Sequence, residues 1–212
     1  MPSINRLLLE KFTRPKKVSY KSGGIDHLGT SVMTETDREV ETILKNKLLK
    51  ILPGSGFIGE ETKLDVKEFN WIVDPIDGTL NYANQVPVFA YSIALWHQNQ
   101  PIYALVSLPL TQETLHAISG QGIWLNGKPV KPAKKTTKHG AQIALGRIDG
   151  GVFMNQALWD IAAIVLLAQE AHLAVKYLSK QPNISADTLK DYQYSLVIGP
   201  EKLANELADK LK

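Results

Sequence analysis

The stretch that decides the fold lies at residues 71–82 and reads WIVDPIDGTLNY. Residues 71–73 are apolar β-formers, and they predict a short buried strand. The strand is expected to stop at Asp74-Pro75, because proline has a fixed φ and no N–H to donate. Asp74 and Asp77 are therefore expected three residues apart in a stiff turn at the end of a buried strand.

This turn has the composition of a metal site. Two carboxylates held close together repel each other unless a cation lies between them. Mg²⁺ suits the position because it prefers oxygen ligands and is commonly shared between carboxylates and a substrate phosphate. Gly78 allows a ligand to approach the backbone closely, and Thr79 adds a hydroxyl beside N–H groups that can face an anion.

An ordinary turn is the alternative for the same residues. Asp, Pro and Gly favour turns for purely local reasons, so the DPIDG pentapeptide alone leaves both interpretations open. The apolar strand before it and the Gly-Thr-x-Asn sequence after it favour a functional site.

Helix and strand signals alternate on both sides of this stretch. Thr36 and Glu39 fit a capping box, so a helix is expected to begin near Thr36 and to end at Pro53-Gly54. A short helix is expected before it, near the N-terminus. Strands are predicted at residues 57–58, 89–95, 102–108, 114–118, 143–148 and 194–198, and later helices at 159–172 and from 200 onward. This mixture predicts the class α/β, or α+β in some schemes, with the elements in layers.

Composition bounds the class of protein. A chain of 212 residues with 44% hydrophobic and 21% charged residues suits one globular domain or two closely fused halves. Because there is no cysteine, disulfides, thiolate metal sites and cysteine nucleophiles are excluded. The 24 basic and 21 acidic residues nearly balance, so no nucleic-acid partner is expected. No segment approaches the ~20 apolar residues of a membrane span and no signal peptide is recognisable, so no membrane partner and a cytoplasmic location are expected.

Three separated blocks resemble the inositol monophosphatase family of magnesium-dependent, lithium-sensitive phosphatases. They are FIGEE at residues 57–61, WIVDPIDGTLNY at 71–82 and WDIAA at 159–163. MTETD at 33–37 and GRIDG at 146–150 are weaker matches. The resemblance covers most of the chain, and the second block is the most specific.

The resemblance implies a layered α-β-α-β-α sandwich of the sugar-phosphatase type, shortened in its second half. Residues 1–212 would form a single inositol-monophosphatase-like domain. Its N-terminal half, about residues 1–130, would carry most metal ligands, and its C-terminal half, about 131–212, would carry Asp160.

The resemblance also implies a role for each matching residue. The metal ligands it implies are Glu60, Asp74, the backbone carbonyl of Ile76, Asp77 and Asp160. The catalytic residues it implies, which activate or orient the attacking water, are Glu60, Asp37 and Thr79. The contacts to phosphate and substrate it implies are Gly78, Thr79, Asp77 and Asp160. Glu61 would be a nearby carboxylate.

The expected function is Mg²⁺-dependent hydrolysis of a small phosphate monoester, such as inositol monophosphate, by a metal-activated water. The expected partners are this small phosphorylated substrate and a second copy of the chain, because family members are commonly homodimers. The residues 80–82 favour the inositol branch of the superfamily. A fructose-bisphosphatase or a 3′-phosphoadenosine-nucleotide phosphatase is one alternative. A non-catalytic relative that binds a metal or a partner is the other, favoured because the chain between the second and third blocks is shorter than in typical members.

Overall fold

The computed structural model arranges helices and sheets in five layers, in the order helix, sheet, helix, sheet, helix. It describes residues 2–14, 17–20, 32–62, 64–130, 143–147, 149–185 and 193–211. The predicted α/β class and the layered sandwich are confirmed. None of the helices in these ranges combines the length and apolarity needed to span a bilayer.

The first layer contains α1 (Pro2–Phe12) and α2 (Glu35–Ile51). Between them, β1 (Val18–Tyr20) pairs antiparallel with β2 (Val32–Thr34), which leads directly into α2. The short N-terminal helix and the end of α2 before Pro53-Gly54 are confirmed.

The start of α2 differs from the prediction. The N-cap is Thr34, whose Oγ1 accepts the N–H of Thr36 at 3.2 Å, and the capping box pairs Thr34 with Asp37. Asp37 Oδ2 accepts the N–H of Thr34 at 2.8 Å. The predicted pair of Thr36 and Glu39 was wrong because Thr36 already lies in the first turn, where its N–H is one of the groups that need a cap.

The large sheet has seven strands, which lie side by side in their chain order. They are β3 (Gly56–Gly59), β4 (Phe69–Asp77), β5 (Ala90–His97), β6 (Gln100–Leu108), β7 (Glu113–Ile118), β8 (Gly122–Leu125) and β9 (Lys128–Val130). β3 and β4 are parallel, and each later neighbour is antiparallel. The five predicted strands that fall in this sheet, at residues 57–58, 71–73, 89–95, 102–108 and 114–118, are confirmed.

The strand β4 does not stop at Asp74-Pro75. Asp74 pairs with Ser92 and Asp77 pairs with Ala90. The four residues 74–77 of β4 therefore lie opposite only the three residues 90–92 of β5. This irregularity is a bulge, where a proline is tolerated within a sheet. The short helix α3 (Thr79–Ala83) begins two residues after the strand ends.

The C-terminal part forms the remaining layers. β10 (Gly151–Gln156), β11 (Ala174–Tyr177) and β12 (Tyr194–Gly199) form an antiparallel sheet in the order β10-β12-β11. α4 (Leu158–Glu170) precedes β11, and α5 (Glu201–Leu211) follows β12. The predicted α4, β12 and terminal helix are confirmed, whereas β10 and β11 were not predicted.

The strand predicted at residues 143–148 was wrong. Ile143 and Ala144 are helical, and a turn follows them. Both side chains are buried in the same core as α4. A short apolar run marks burial but does not by itself distinguish a strand from a helix.

The core has two main parts, one on each face of the large sheet. Ile72 belongs to the part that contains α4 and β12, whereas its neighbour Val73 belongs to the part that contains α1 and α2. This alternation follows from the pleat of the strand. α4 is buried on nearly every face, as predicted, because it lies between the two sheets. Asp74, two residues after Ile72, consequently belongs to the face that α4 covers.

A candidate metal and phosphate site

The parallel strands β3 and β4 end at the same edge of the sheet. Gly59 pairs with Val73, so Glu60 and Asp74 are the next residues along the two strands. Neighbouring strands lie about 4.8 Å apart, so this register places two acidic residues side by side. Glu60 is half-buried, and Asp77, at the end of β4, is exposed.

Asp74 is almost completely buried, with 2% of its surface exposed. Its Oδ1 accepts the N–H of Ile76 at 3.0 Å. Burial raises the pKa of Asp74 well above its ordinary range, and nearby negative charges raise it further. In decreasing order of effect, those charges belong to Glu60, Asp77, Asp160 and Asp37.

Asp160 reaches this cluster from the far half of the chain. It lies in the first turn of α4, where its Oδ2 accepts the N–H of Ala157 at 2.8 Å. Ser92 is paired with Asp74 on the neighbouring strand β5. Its hydroxyl donates a hydrogen bond of 3.3 Å to the carbonyl of Trp159. This bond holds the start of α4 against β5 beside Asp74. Ser92 was not singled out from the sequence, because a lone serine in a strand carries no local signal.

Asp37 and Thr79 form a hydrogen-bonded pair of a carboxylate and a hydroxyl near Asp74. Thr79 Oγ1 lies 3.0 Å from Asp37 Oδ1 and 2.8 Å from the carbonyl oxygen of Ile76. A hydroxyl has one proton, so Thr79 serves one of these acceptors at a time. Burial raises the pKa of Asp37, while the hydrogen bonds from Thr34 and Thr79 oppose that rise.

Gly78 lies between β4 and α3 in a conformation that few other residues adopt. Its φ is +88°, and a Cβ added there would lie 3.1 Å from the carbonyl oxygen of Val88. Its own carbonyl accepts the N–H of Tyr82 at 2.9 Å, which closes the first turn of α3. The N–H groups that follow Gly78 belong to the first turn of a helix, where they lack acceptors within the helix.

Glu41 is a further buried acid that the sequence analysis missed. It lies on α2 with none of its surface exposed, and its Oε2 accepts the N–H of Glu61 at 2.9 Å. One signal was available, since Asp37 and Glu41 are four residues apart and therefore lie on the same face of the helix.

Comparison with known proteins bears on what this site is. The sequence profile that describes the inositol monophosphatase family matches residues 3–142 of this chain. The chain belongs to the inositol monophosphatase family.

Similar proteins agree with this family membership. Inositol monophosphatase 2 of Solanum lycopersicum is 37% identical over 125 residues, which cover 55% of this chain and 47% of that protein. The chain thus spans about half the length of the tomato relatives it matches. The fructose-1,6-bisphosphatase/inositol-1-monophosphatase of Thermotoga maritima is 26% identical over 204 residues, covering 79% of this chain and 78% of that protein.

A solved structure shares the fold along nearly the whole chain. The extragenic suppressor protein suhB from Bartonella henselae superimposes with a TM-score of 0.81 and 25% identity, covering 99% of this chain and 94% of that one.

The donor set of this candidate site suits a hard divalent cation. Carboxylate and carbonyl oxygens are the ligands that Mg²⁺ prefers, and a cation would relieve the repulsion at Asp74. In the part of the chain that the structure describes, no three His, Asp or Glu side chains are already arranged to hold an ion. One oxygen of Asp74 and one of Asp160 instead accept backbone N–H groups. The residues therefore fit a cation in chemistry and charge.

An apolar recess of about 410 Å³ lies elsewhere in the molecule. It is lined by the end of α2 and by residues of β4, β5 and β6, namely Leu48, Ile51, Leu52, Trp71, Ile93, Leu95 and Tyr103. None of the clustered acids lines it, so the recess and the candidate site of this family member are separate features.

Proposed function

We propose that the chain catalyses the Mg²⁺-dependent hydrolysis of a small phosphate monoester similar to inositol monophosphate. The observation that carries this proposal is that Asp74 is buried next to four other carboxylates. Burial raises the pKa of Asp74 most, and the four carboxylates raise it further. Such a cluster opposes folding of the chain, because buried like charges repel each other. A divalent cation would offset that repulsion and would in turn attract the anionic phosphate ester, which explains why the acids are gathered here.

Glu60, Asp74, the carbonyl of Ile76, Asp77 and Asp160 are the groups that would hold the metal. When bound, Mg²⁺ acidifies water and neutralises negative charge on the transferring phosphoryl group. These donors come from the residue after β3, from β4 and from the start of α4, so the cation would link both halves of the chain.

The Asp37–Thr79 pair would orient the attacking water. When Thr79 donates its proton to Asp37, the lone pairs of Oγ1 accept a hydrogen bond from that water. Asp37 can then receive a proton through the hydroxyl of Thr79, which is the role of a general base. Glu60 would also help to activate that water.

The backbone at Gly78 and Thr79 would hold the phosphate oxygens. The positive φ of Gly78 turns the chain directly into α3, so the N–H groups of Gly78 and Thr79 lie next to Asp77. Asp77 is exposed and Asp160 is half-buried, which supports contact of both side chains with a substrate hydroxyl. These contacts would select a polyhydroxylated alcohol as the leaving group.

Residues 1–212 would act as a single functional domain. The support is the core cluster that joins α4 and β12 of the C-terminal half to β4–β8 of the N-terminal half. The predicted homodimer stays a prediction, which sedimentation of the purified chain tests.

A phosphate-release assay tests the function. Inositol monophosphate, fructose 1,6-bisphosphate and a 3′-phosphoadenosine nucleotide are each supplied with and without Mg²⁺. We expect Mg²⁺-dependent release, fastest with inositol monophosphate, and a loss of at least about 10²-fold in Asp74→Asn. Glu206→Gln, an exposed acid on α5, is the matched control and should behave as wild type.

The outcomes separate the alternatives. Preference for fructose 1,6-bisphosphate would replace the proposed substrate, and the name of the Thermotoga relative makes this the second candidate. If no substrate is hydrolysed faster by the wild type than by Asp74→Asn, the chain is a non-catalytic member of the family.

A further inference from the structure

We propose that Glu41 is a positioning residue that holds Glu60 in place for the metal. This inference rests on the proposed function, since it concerns how one of the proposed ligands is oriented. Glu41 itself lies on α2 and is not among the proposed ligands.

The first contact is a hydrogen bond directly after Glu60. Oε2 of Glu41 accepts the N–H of Glu61 at 2.9 Å, across 20 residues of chain. The acceptor is fully buried, and a carboxylate makes a stronger acceptor than a neutral group. The bond therefore fixes the peptide that follows Glu60.

The second contact lies directly before Glu60. A Cβ added to Gly59 would lie 2.5 Å from Glu41 Cδ and 2.6 and 2.7 Å from its two carboxylate oxygens. The carboxylate of Glu41 thus lies against the backbone of Gly59, where only glycine leaves room for it. Glu60 is held between these two contacts, although β3 ends at Gly59.

The same helix face also holds the other half of the proposed water site. Asp37 lies one turn before Glu41, and it accepts the hydroxyl of Thr79 at 3.0 Å. α2 therefore presents two buried acids in a row, one directed at Thr79 and one directed at the backbone beside Glu60. Because a helix is stiff, this face sets the distance between the two groups that act on water.

Glu41→Ala and Glu41→Gln test the proposal in the full chain. Alanine removes the acceptor, whereas glutamine keeps an oxygen that can accept the N–H of Glu61 and removes only the charge. Amide exchange at Glu61, the affinity for Mn²⁺ alone, and kcat and KM for phosphate release are measured for both variants.

We expect Glu41→Ala to expose the Glu61 amide to exchange and to weaken Mn²⁺ binding by roughly 10–100-fold. kcat should fall with it, while KM at saturating metal stays close to the wild-type value. Glu41→Gln should restore amide protection and bring Mn²⁺ affinity back to within about threefold of wild type. If Glu41 served only to fill space, glutamine would restore the stability that alanine loses. Mn²⁺ affinity would then equal the wild-type value in both variants.

Gly59→Ala supplies an independent test that leaves Glu41 in place. Its methyl group would displace the carboxylate, so Mn²⁺ affinity and Glu61 protection should both fall. The same methyl has little to displace when Glu41 is already alanine, so the double variant should bind Mn²⁺ no worse than Glu41→Ala. Additive losses would contradict an effect that passes through Glu41.

The failure of this proposal is distinct from failure of the proposed function. Unchanged Mn²⁺ affinity and Glu61 protection in folded Glu41→Ala would overturn it, as would equal losses in Glu41→Gln and Glu41→Ala. If Glu41→Ala does not fold, Glu41→Gln and Gly59→Ala decide in the same way.

A wild type that releases no phosphate removes the proposed function, while amide exchange and Mn²⁺ titration still decide the role of Glu41. A wild type that binds no Mn²⁺ overturns both.

Discussion

Thr79 Oγ1 lies 3.0 Å from Asp37 Oδ1, although 42 residues separate them along the chain. The bond joins the first turn of α3 to the first turn of α2. The other oxygen of Asp37 accepts the N–H of Thr34 at 2.8 Å. One oxygen of the Asp37 carboxylate thus caps α2, and the other accepts the hydroxyl of Thr79 in the candidate site.

Thr79→Val is expected to lower kcat by about 10²–10⁴-fold, because valine keeps the shape of threonine and removes the hydroxyl that orients the water. KM and metal affinity should change little. Steady-state phosphate release at saturating Mg²⁺ measures both constants. Thr79→Ser, which keeps the hydroxyl, is the matched control and should retain most of the activity. Equal activity of the valine and serine variants would show that the hydroxyl has no catalytic role.

Thr34→Ala is expected to lower the free energy of unfolding by about 0.5–2 kcal/mol, because the N–H of Thr36 loses its cap. Urea denaturation measures this change. Glu39→Ala is the informative control, since Glu39 was the predicted capping partner and is exposed in the structure. It should change the unfolding free energy only by the roughly 0.2–1 kcal/mol of its surface ion pair with Lys11. A larger loss in Glu39→Ala than in Thr34→Ala would contradict the observed cap.

Mg²⁺ is expected to stabilise the wild type and not Asp74→Asn. At a Mg²⁺ concentration one hundred times the dissociation constant, the wild type should gain about 2.7 kcal/mol of unfolding free energy. Without metal, Asp74→Asn should be at least as stable as the wild type, because the substitution removes a buried charge that four other acids repel.

Denaturation with and without chelator measures this metal response, with Glu206→Gln as the control that should respond as the wild type does. An equal gain in Asp74→Asn and the wild type would place the ion elsewhere.

The ion pair of Glu113 and Arg147 is expected to contribute a pH-dependent part of stability. The hydrogen bond from Arg147 lowers the pKa of Glu113 from its ordinary value of 4.5. A depressed folded-state pKa stabilises the protein above the ordinary value, and this contribution is lost as the pH falls through the folded-state pKa. The Arg147 side chain is 47% exposed, so we expect only about 0.2–1 kcal/mol.

Glu113→Gln measures that contribution. Its deficit in unfolding free energy should be constant from pH 7 down to the ordinary pKa of glutamate and should shrink below it. A deficit that grows as the pH falls would contradict the sign of the shift. High salt should reduce the deficit at pH 7, since the pair is partly exposed.

The elements that the sequence predicted well are those with a strong local pattern. β4 and α4 are apolar over most of their length, and the acids that follow or begin them stand out against that background. The errors arose where local signals were ambiguous. The apolar run at residues 143–148 resembled a strand, and Thr36 and Thr34 compete as caps because each precedes an acid by three residues.

Local sequence was sufficient for the class of fold and for singling out Asp74 and Asp77 at residues 74–78, because strand preferences and short motifs depend on residues only a few positions apart. Long-range packing made this segment a bulged end of β4 and decided which buried groups lie around it. Ser92 donates to the start of α4, and Glu41 accepts the N–H of Glu61 and excludes a side chain at Gly59. On the printed sequence Glu41 is one more charged residue of a helix. Its burial and its partner depend on how α2 packs against the end of β3, and no pattern within α2 contains that information.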